Sequence, residues 1–435
     1  MTEIDQVDFF TDPSIVDDPY PYFESLRAQC PVVREPHHGV VAVTGYDAAT
    51  AVYRDSEVFS SCVSATGPFP GLPFEPEGDD LGALIEQYRD HFPLHEHLVT
   101  MDMPQHAARR SLLKRLLTPR RLAENEEFMW RLADRQIDEF IARGSCNLMS
   151  DYAQPFALLV IADLLGVPEE DHQVFRVTLG AQQAGSIDES EAFTSNPLEF
   201  LAERFTSYIE DRRREPRDDV LTAIATAKYP DGSTPEVVDL VHVACFLFAA
   251  GQDTTARLLT ASFRFIAENP ELQQLLRDEP ERIPNFVEET LRMEGPVKSD
   301  FRLAKNPTTV GDMDVPAGTI VMILNSAVNR DPERFEDPDT FDIERQNARE
   351  HIAFGRGIHA CPGGPLARVE SRVSITRLLD RLKDIRISEA EHGPADSRTY
   401  EYEPTYILRG LKALHLDYTP ATESSSAESV MTETH

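Results

Sequence analysis

Residues 354–368 read FGRGIHACPGGPLAR. This run brings one cysteine, Cys361, through a glycine-rich loop to an amphipathic segment that predicts a helix over Pro365 to Leu382. The first turn of a helix presents free N–H groups and partial positive charge, and both lower the pKa of a thiol and favour the thiolate. Gly355, Gly357, Gly363 and Gly364 permit positive φ and close approach to a ligand, while Phe354 offers a flat apolar face. The pattern predicts a seat for thiolate-bound iron, with backbone amides near the sulfur.

Cysteine usage along the rest of the chain agrees with a cysteine that acts alone. The five cysteines are scattered and odd in number, and none forms a C-x-x-C pair: Cys30, Cys62, Cys146, Cys245 and Cys361. A disulfide framework or a zinc site is therefore not expected. A lone Cys-x-Gly also occurs in ordinary turns before helices, so the inference depends on the remaining loop residues.

The charge balance excludes some classes of partner. The chain has 435 residues, with 42 basic and 75 acidic side chains and a net charge of −33. So acidic a chain is not expected to bind nucleic acid, because that needs clustered Lys and Arg. It is not expected to bind anionic membrane surfaces either. The first residues have no basic-then-apolar signal pattern, and no run approaches the ~20 apolar residues that span a bilayer. We expect a cytoplasmic protein.

The pattern of apolar residues predicts one large, mainly helical domain with a small β-rich portion. Residues 1–417 are expected to form a single domain, and residues 418–435, which are rich in Ser, Thr, Glu and Ala, a disordered tail. A long apolar helix is expected near the centre over Asp239 to Ala261, preceded by a cap at Thr234-Pro235. Amphipathic helices are expected over Asp18 to Gln29, Gln105 to Leu116, Ala123 to Ile141 and Pro197 to Arg214. Short strands are expected at Gly39 to Thr44, at Thr319 to Leu324 and elsewhere within 300–325 and 395–418, and a long loop over Cys62 to Met101.

The cysteine loop resembles the haem-binding signature of the cytochrome P450 family, F-G-x-G-x-H-x-C-x-G, at every fixed position. The resemblance extends from about Asp12 to Tyr418 and implies the P450 fold, with a long central helix over a haem b. It implies that Cys361 ligates the iron and that Phe354 and Gly363 border the haem. Glu289 and Arg292 match the E-x-x-R motif of that family, and the resemblance implies a buried structural cluster with Arg345.

The central helix contains AGQDTT at residues 250–255. A mid-helix glycine costs about 0.5–1 kcal/mol against alanine, so the cluster calls for a reason. One reading is a local kink whose polar groups bond to the backbone. The resemblance to the A-G-x-D/E-T motif implies instead an oxygen-binding groove beside Ala250. There Thr254 would hydrogen-bond the dioxygen that is activated, and Asp253 would help to relay protons from solvent.

Haem propionates need cationic or N–H donors, and the resemblance supplies four candidates. His106 and Arg110 match the H-x-x-x-R of the helix that contacts the propionates and share a face at i,i+4 spacing. A solvent-facing basic turn explains that pair equally well by itself. Arg302 matches a further propionate arginine, and His359 matches another donor. Arginine suits bidentate contact with a carboxylate.

Family topology implies a substrate pocket between four regions: residues 62–99, residues 181–200, the central helix and the last hairpin. Besides Ala250, the candidates for its lining are Phe69, Phe74, Phe92, Phe246, Leu247, Val297 and Ile407, although core packing explains any single one of them. An apolar pocket suits a small or medium hydrophobic substrate such as a terpenoid, steroid or alkyl aromatic. Lys298 is a candidate anchor for a carboxylate.

The implied activity is a monooxygenase reaction that inserts one atom of O2 into the substrate. No flavin or iron–sulfur motif is present, so electrons are expected from a ferredoxin served by an NAD(P)H-dependent reductase. Arg109, Lys114 and Arg115 are candidates for its docking patch, and a solvated helix face is the alternative. Three other functions stay open: a haem-thiolate peroxygenase or isomerase, a non-catalytic haem-binding sensor, and a haem-free helical protein. The Asp253–Thr254 pair favours the monooxygenase.

Overall fold

The computed structural model describes residues 6–179 and 199–421. Its architecture is mainly helical with small sheets, as the sequence predicts. The described α-helices are α1 Ser14–Asp17, α2 Tyr20–Gln29, α3 Tyr46–Arg54, α4 Gly82–Gln87, α5 Gln105–Leu116, α6 Pro119–Phe140, α7 Gln154–Leu165, α8 His172–Leu179, α9 Glu199–Arg214, α10 Val220–Ala225, α11 Val237–Glu268, α12 Pro270–Asp278, α13 Ile283–Glu294, α14 Asn325–Val328, α15 Gly364–Arg381 and α16 Glu389–His392.

The long helix α11 runs through the main core. It packs against α7, α9, α13 and α15, and most of its residues are buried. By length and composition alone it is the one described helix that could cross a membrane. Its cap differs from the expected Thr234-Pro235 pair, because Glu236 is the N-cap. Glu236 and Asp239 form a capping box, in which the side chain of each accepts a hydrogen bond from the backbone N–H of the other.

Ten short strands form three small sheets in the described residues. The strands are β1 Val32–Arg34, β2 Val41–Val43, β3 Phe59–Ser60, β4 Ser145–Asn147, β5 Asp300–Ala304, β6 Thr308–Val310, β7 Met313–Val315, β8 Ile320–Ile323, β9 Leu382–Ile387 and β10 His415–Pro420. The largest sheet has the order β1-β2-β8-β5-β3, in which only β2 and β8 are parallel. The others are β4-β10-β9 and the hairpin β6-β7. Strand β5 carries Arg302 towards the site described below.

The predicted end of the domain at residue 417 is too early. Strand β10 continues to Pro420, where it pairs with Leu382 of β9. Tyr418 is buried and donates its hydroxyl hydrogen bond to the Phe140 carbonyl at 2.9 Å. Strand pairing and the buried Tyr418, whose hydroxyl has the hydrogen-bond partner that burial requires, therefore place residues 418–420 in the folded part. Residues 422–435 lie outside the described residues, so the disordered tail stays a prediction.

Candidate functional site

The cysteine loop is closed by its own backbone. The Cys361 N–H donates to the Phe354 carbonyl at 2.8 Å, and the Gly355 N–H donates to Ile352. Gly355 and Gly357 have φ of 62° and 70°, whereas Gly363 and Gly364 do not have positive φ. A Cβ at Gly357 would lie 2.2 Å from the Tyr53 carbonyl oxygen, so only glycine fits there. Two of the four predicted positive-φ glycines thus shape the loop.

The Cys361 thiol lies just before α15. Its side chain is accessible, yet the protein around it is dense enough that burial raises the pKa of the thiol above its ordinary value. The N–H groups of Gly363 and Gly364 and the charge of Arg110 act in the opposite direction but do not outweigh burial. The sequence predicted a lowered pKa from the helix terminus alone, and the structure corrects that expectation.

The four predicted propionate donors lie together beside the cysteine loop. The rings of His106 and His359 are 4.1 Å apart. Burial lowers the pKa of His106 to about 4 and that of His359 to about 2, and Arg110 adds to both shifts. Arg302 also acts on His359. The two imidazoles are therefore neutral at pH 7, and each lies near at least one guanidinium group.

Polar atoms without partners at this cluster fit the acidic edge of a haem. The Nε2 atoms of His106 and His359 are buried without a hydrogen-bond partner. Arg110 donates to the Ala360 carbonyl at 2.5 Å, and Arg302 donates to Ser64 and Asp300. A buried polar group without a partner costs about 1–3 kcal/mol. A haem carboxylate can accept from Nε2 of each imidazole when that nitrogen carries a proton, and it can neutralise the cations, while the thiolate would ligate the iron.

The middle of α11 presents a polar and partly open face. Ala250 is exposed, although it stands in the middle of a largely buried helix. The Thr254 hydroxyl donates to the Ala250 carbonyl at 2.8 Å, and Asp253 accepts from Arg257 at 2.9 Å. Gly251 does not face this opening: a Cβ there would lie 2.7 Å from Ile161 of α7. The glycine of the motif thus permits close helix packing.

The predicted structural cluster is a buried hydrogen-bonded set. Arg292 donates to both oxygens of Glu289 at 2.8 and 2.7 Å, and Arg345 donates to Glu289 at 3.0 Å. The side chains of Glu289 and Arg292 are fully buried. Arg292 also donates to backbone carbonyls of residues 329, 338 and 340. The set ties α13 to the segment that precedes the cysteine loop.

Sequence reasoning missed a second buried carboxylate, Glu288. It accepts from His351 at 3.0 Å and from Arg368 at 2.6 and 2.9 Å. Burial acts to raise its pKa, but these hydrogen bonds outweigh burial and lower the pKa to about 2. The Arg368 guanidinium lies 4.7 Å from the centre of the Phe354 ring. Glu288 thus holds the residue that supports the cysteine loop.

Glu370 on α15 was also missed. It is 1% exposed, and neither carboxyl oxygen has a hydrogen-bond partner of good geometry. Burial raises its pKa to about 8, and the neighbouring Thr255 hydroxyl opposes this only in part. The carboxyl is therefore largely protonated at pH 7. The sequence carried a weak signal for its burial: Glu370 is four residues after the apolar Leu366 and so lies on the same face of the helix.

The pocket candidates fall into separate groups. Phe74 packs against Phe92, and Phe69 packs against Phe10 and Tyr406, within a second core cluster. Leu247 is buried in the main core. Phe246 is half-buried on the open side of α11. Val297 bridges to Leu408, and the Ile407 carbonyl accepts from Lys298 and Ser299. Most of residues 181–200 lies outside the described residues.

Two further predictions need correction. Arg109 forms an ion pair with Asp239 of α11 and is mostly buried, so it is not free to dock a partner. Lys114 is exposed, and the Arg115 side chain lies outside the described residues. Lys298 is buried with its ammonium 5.6 Å from the centre of the Phe9 ring, which places its charge in the second core cluster.

Comparisons with known proteins agree with this geometry. The family model for cytochrome P450 matches residues 187–394. The chain is 32% identical to the cytochrome P450 monooxygenase PikC of Streptomyces venezuelae, over 94% of this chain and 92% of that protein. The substrate-free structure of CYP150A6 from Mycobacterium marinum superposes with a TM-score of 0.92 at 61% identity, covering 97% of this chain and 100% of that one. CYP109E1 from Bacillus megaterium in complex with corticosterone gives a TM-score of 0.76 at 27% identity, over 92% and 98%.

The extent of these matches goes beyond the cysteine loop and includes both the helical core and the sheets that carry the site. The chain therefore belongs to the cytochrome P450 family of haem monooxygenases.

Proposed function

We propose that the chain binds haem b through Cys361 and inserts one oxygen atom of O2 into a small or medium hydrophobic substrate. The observation that carries the proposal is the accessible Cys361 thiol beside two buried, unpartnered imidazole nitrogens on His106 and His359. Arg110 and Arg302 would hold the propionates with them. When bound, the haem supplies oxygen activation that side chains lack.

Two residues of α11, Thr254 and Asp253, would help to deliver the protons that oxygen activation needs. Because the Thr254 hydroxyl donates to Ala250, its oxygen is left to accept a hydrogen bond from a donor in the site, such as water. Asp253 is partly exposed and held by Arg257, so it can exchange protons with solvent when that pair opens. The exposed Ala250 leaves room for O2. These roles favour a monooxygenase over a peroxide-driven enzyme.

The substrate class is inferred from the apolar lining candidates and from one relative. Phe246 is half-buried on α11, and Val297 bridges to Leu408. The relative CYP109E1 has been solved with corticosterone and with testosterone. We infer a terpenoid, steroid or alkyl-aromatic substrate, electrons from a ferredoxin with an NAD(P)H-dependent reductase, and a cytoplasmic location.

The test uses the holoenzyme with a surrogate ferredoxin and reductase, NADPH and 18O2. The probes are testosterone, limonene and n-butylbenzene, one for each class. We expect at least one probe to shift the haem to high spin and to yield a product with one labelled oxygen. Product from hydrogen peroxide alone, with none from NADPH, would select the peroxygenase. No spin shift and no labelled product with all three probes would contradict the proposal.

A further inference from the structure

Three buried polar atoms without partners lie together near the start of α11. They are Nδ1 of His97, Nδ1 of His242 and one terminal nitrogen of Arg109. The rings of His97 and His242 are 5.3 Å apart, and Arg109 pairs with Asp239 one turn before His242. Since nearly all buried polar groups in proteins have hydrogen-bond partners, three unpartnered atoms in one place indicate a ligand that would bind them.

His242 lies on the same face of α11 as Ala250, which is proposed to border the oxygen site. Residues four apart share one face of a helix, so His242, Phe246 and Ala250 form a stripe along α11. All three are less buried than their neighbours Val241, Cys245 and Leu247. His97 is 5% exposed and stacks on Phe246 at 5.4 Å. The segment that carries it therefore covers the far end of this stripe.

The protonation of the pair limits what it can bind. Burial lowers the pKa of His97 to about 4, with His242 acting in the same direction, and burial also lowers the pKa of His242. Both rings are neutral at pH 7. The ionised neighbours are Glu96 and Asp239 against Arg109, and His95 lies close by. The surroundings are net negative, which disfavours a carboxylate or phosphate.

The hydrogen bonds that remain select a hydroxyl group. The backbone of His242 acts to raise the pKa of His97, as a carbonyl does when a ring nitrogen donates to it. Because Nδ1 has no partner, that nitrogen is Nε2, and it donates to a carbonyl. Nδ1 of neutral His97 then carries a lone pair and needs a donor. A hydroxyl can donate to one imidazole and accept from the other, whereas an ether or ketone cannot donate.

We propose that His97 and His242 bind the hydroxyl group of a long hydrophobic substrate and so set which end of it is oxidised. His242 precedes Ala250 by eight residues and Thr254 by twelve, which corresponds to about 12 and 18 Å along the helix. The carbon that reacts is therefore about that far from the hydroxyl. This inference rests on the proposed function, because Ala250 and Thr254 mark the reacting end.

The test measures binding of three probes to the holoenzyme by calorimetry. The probes are dodecan-1-ol, 1-methoxydodecane and dodecanoic acid, which share a chain of suitable length. We expect the alcohol to bind roughly tenfold tighter than the ether, as one or two net hydrogen bonds provide. In His97→Phe/His242→Phe this ratio should fall to about one, with ether affinity unchanged. Phe246→Leu is the matched control and should weaken both probes equally.

Each other outcome overturns the inference. Equal binding of alcohol and ether to the unmodified protein, which needs no variant to fold, removes the hydroxyl site. If the double variant still prefers the alcohol, the histidines do not form the hydroxyl site. If the acid binds most tightly, the site binds a carboxylate and not a hydroxyl group. Absence of binding by any probe also contradicts it. The thiolate spectrum with CO, measured on the same samples, shows separately whether the proposed function stands.

Discussion

The backbone N–H of Cys361 donates to the Phe354 carbonyl at 2.8 Å, which joins the two ends of the cysteine loop. The loop is held from outside as well, since Arg368 covers the Phe354 ring at 4.7 Å and is itself bound by Glu288. The position of the sulfur therefore depends on a carboxylate on α13, which is distant in sequence. This dependence can be measured.

Glu288→Gln should destabilise the protein by about 2–4 kcal/mol, because Arg368 and His351 lose a buried carboxylate. The pKa of Glu288 is lowered to about 2 from 4.5. Its ionised form therefore stabilises the fold above pH 4.5, and this contribution is lost as pH falls towards 2. Urea unfolding at pH 7 and pH 3 should show a smaller difference between variant and unmodified protein at pH 3. The exposed Glu281→Gln is the control, and an equal loss in both variants would contradict the role of Glu288.

Glu370→Gln should have the opposite effect on stability. The pKa of Glu370 is raised to about 8 by burial, so between pH 4.5 and 8 the folded state holds a proton that the unfolded state has lost. Stability from this group declines as pH rises through that range. The glutamine variant should be more stable at pH 8 by about 1–4 kcal/mol and nearly unchanged at pH 4.5. An unchanged unfolding midpoint at pH 8 would show that the carboxyl finds a partner in solution.

Gly251→Ala should destabilise the packing of α11 on α7 by about 1–2 kcal/mol, since overpacking outweighs the better helix propensity of alanine. The added methyl group would lie 2.7 Å from Cδ1 of Ile161. Ile161→Val removes that carbon, so the double variant should recover part of the loss. Thermal unfolding of the four proteins gives the coupling between the sites. Additive effects would mean that the two residues do not touch.

Much of the helical framework can be predicted from sequence because amphipathic patterns have clear ends. Helix α5 has the predicted bounds, Gln105–Leu116, and α2 differs only at its N-terminal end. Helix α9 is helical from residue 199, where the description resumes, to the predicted Arg214. The central helix is longer than predicted, reaching Val237 and Glu268. A buried helix has few polar residues to mark where it ends, and Glu236 could be recognised as its cap only with Asp239 folded back onto it.

Side-chain partners across the chain were harder to predict. Arg109 and Arg110 are adjacent in sequence, and side chains one residue apart on a helix point about 100° apart. One reaches Asp239 and the other reaches Ala360. Likewise Glu289 belongs to a known motif while Glu288 beside it does not, although both carboxylates are buried in ion pairs. Only the packing of α13 against α15 distinguishes them.

Thr254→Ala should uncouple electron use from product formation. Without its hydroxyl, which donates to Ala250, no side chain at this position can accept a hydrogen bond from a water molecule that delivers protons. Product per NADPH consumed should fall at least tenfold, with peroxide released instead, while Thr254→Ser keeps the hydroxyl and most of the coupling. The measurement compares product, peroxide and NADPH in the same reaction. Unchanged coupling in the alanine variant would exclude Thr254 from proton delivery.

The bond between the Cys361 sulfur and the haem iron is tested most directly by the absorbance of the reduced, CO-bound protein. The unmodified protein should show the red-shifted Soret band of a thiolate ligand, and Cys361→Ser should lose that band together with all oxygenation. Retention of the same Soret position and of product formation in Cys361→Ser would contradict the account.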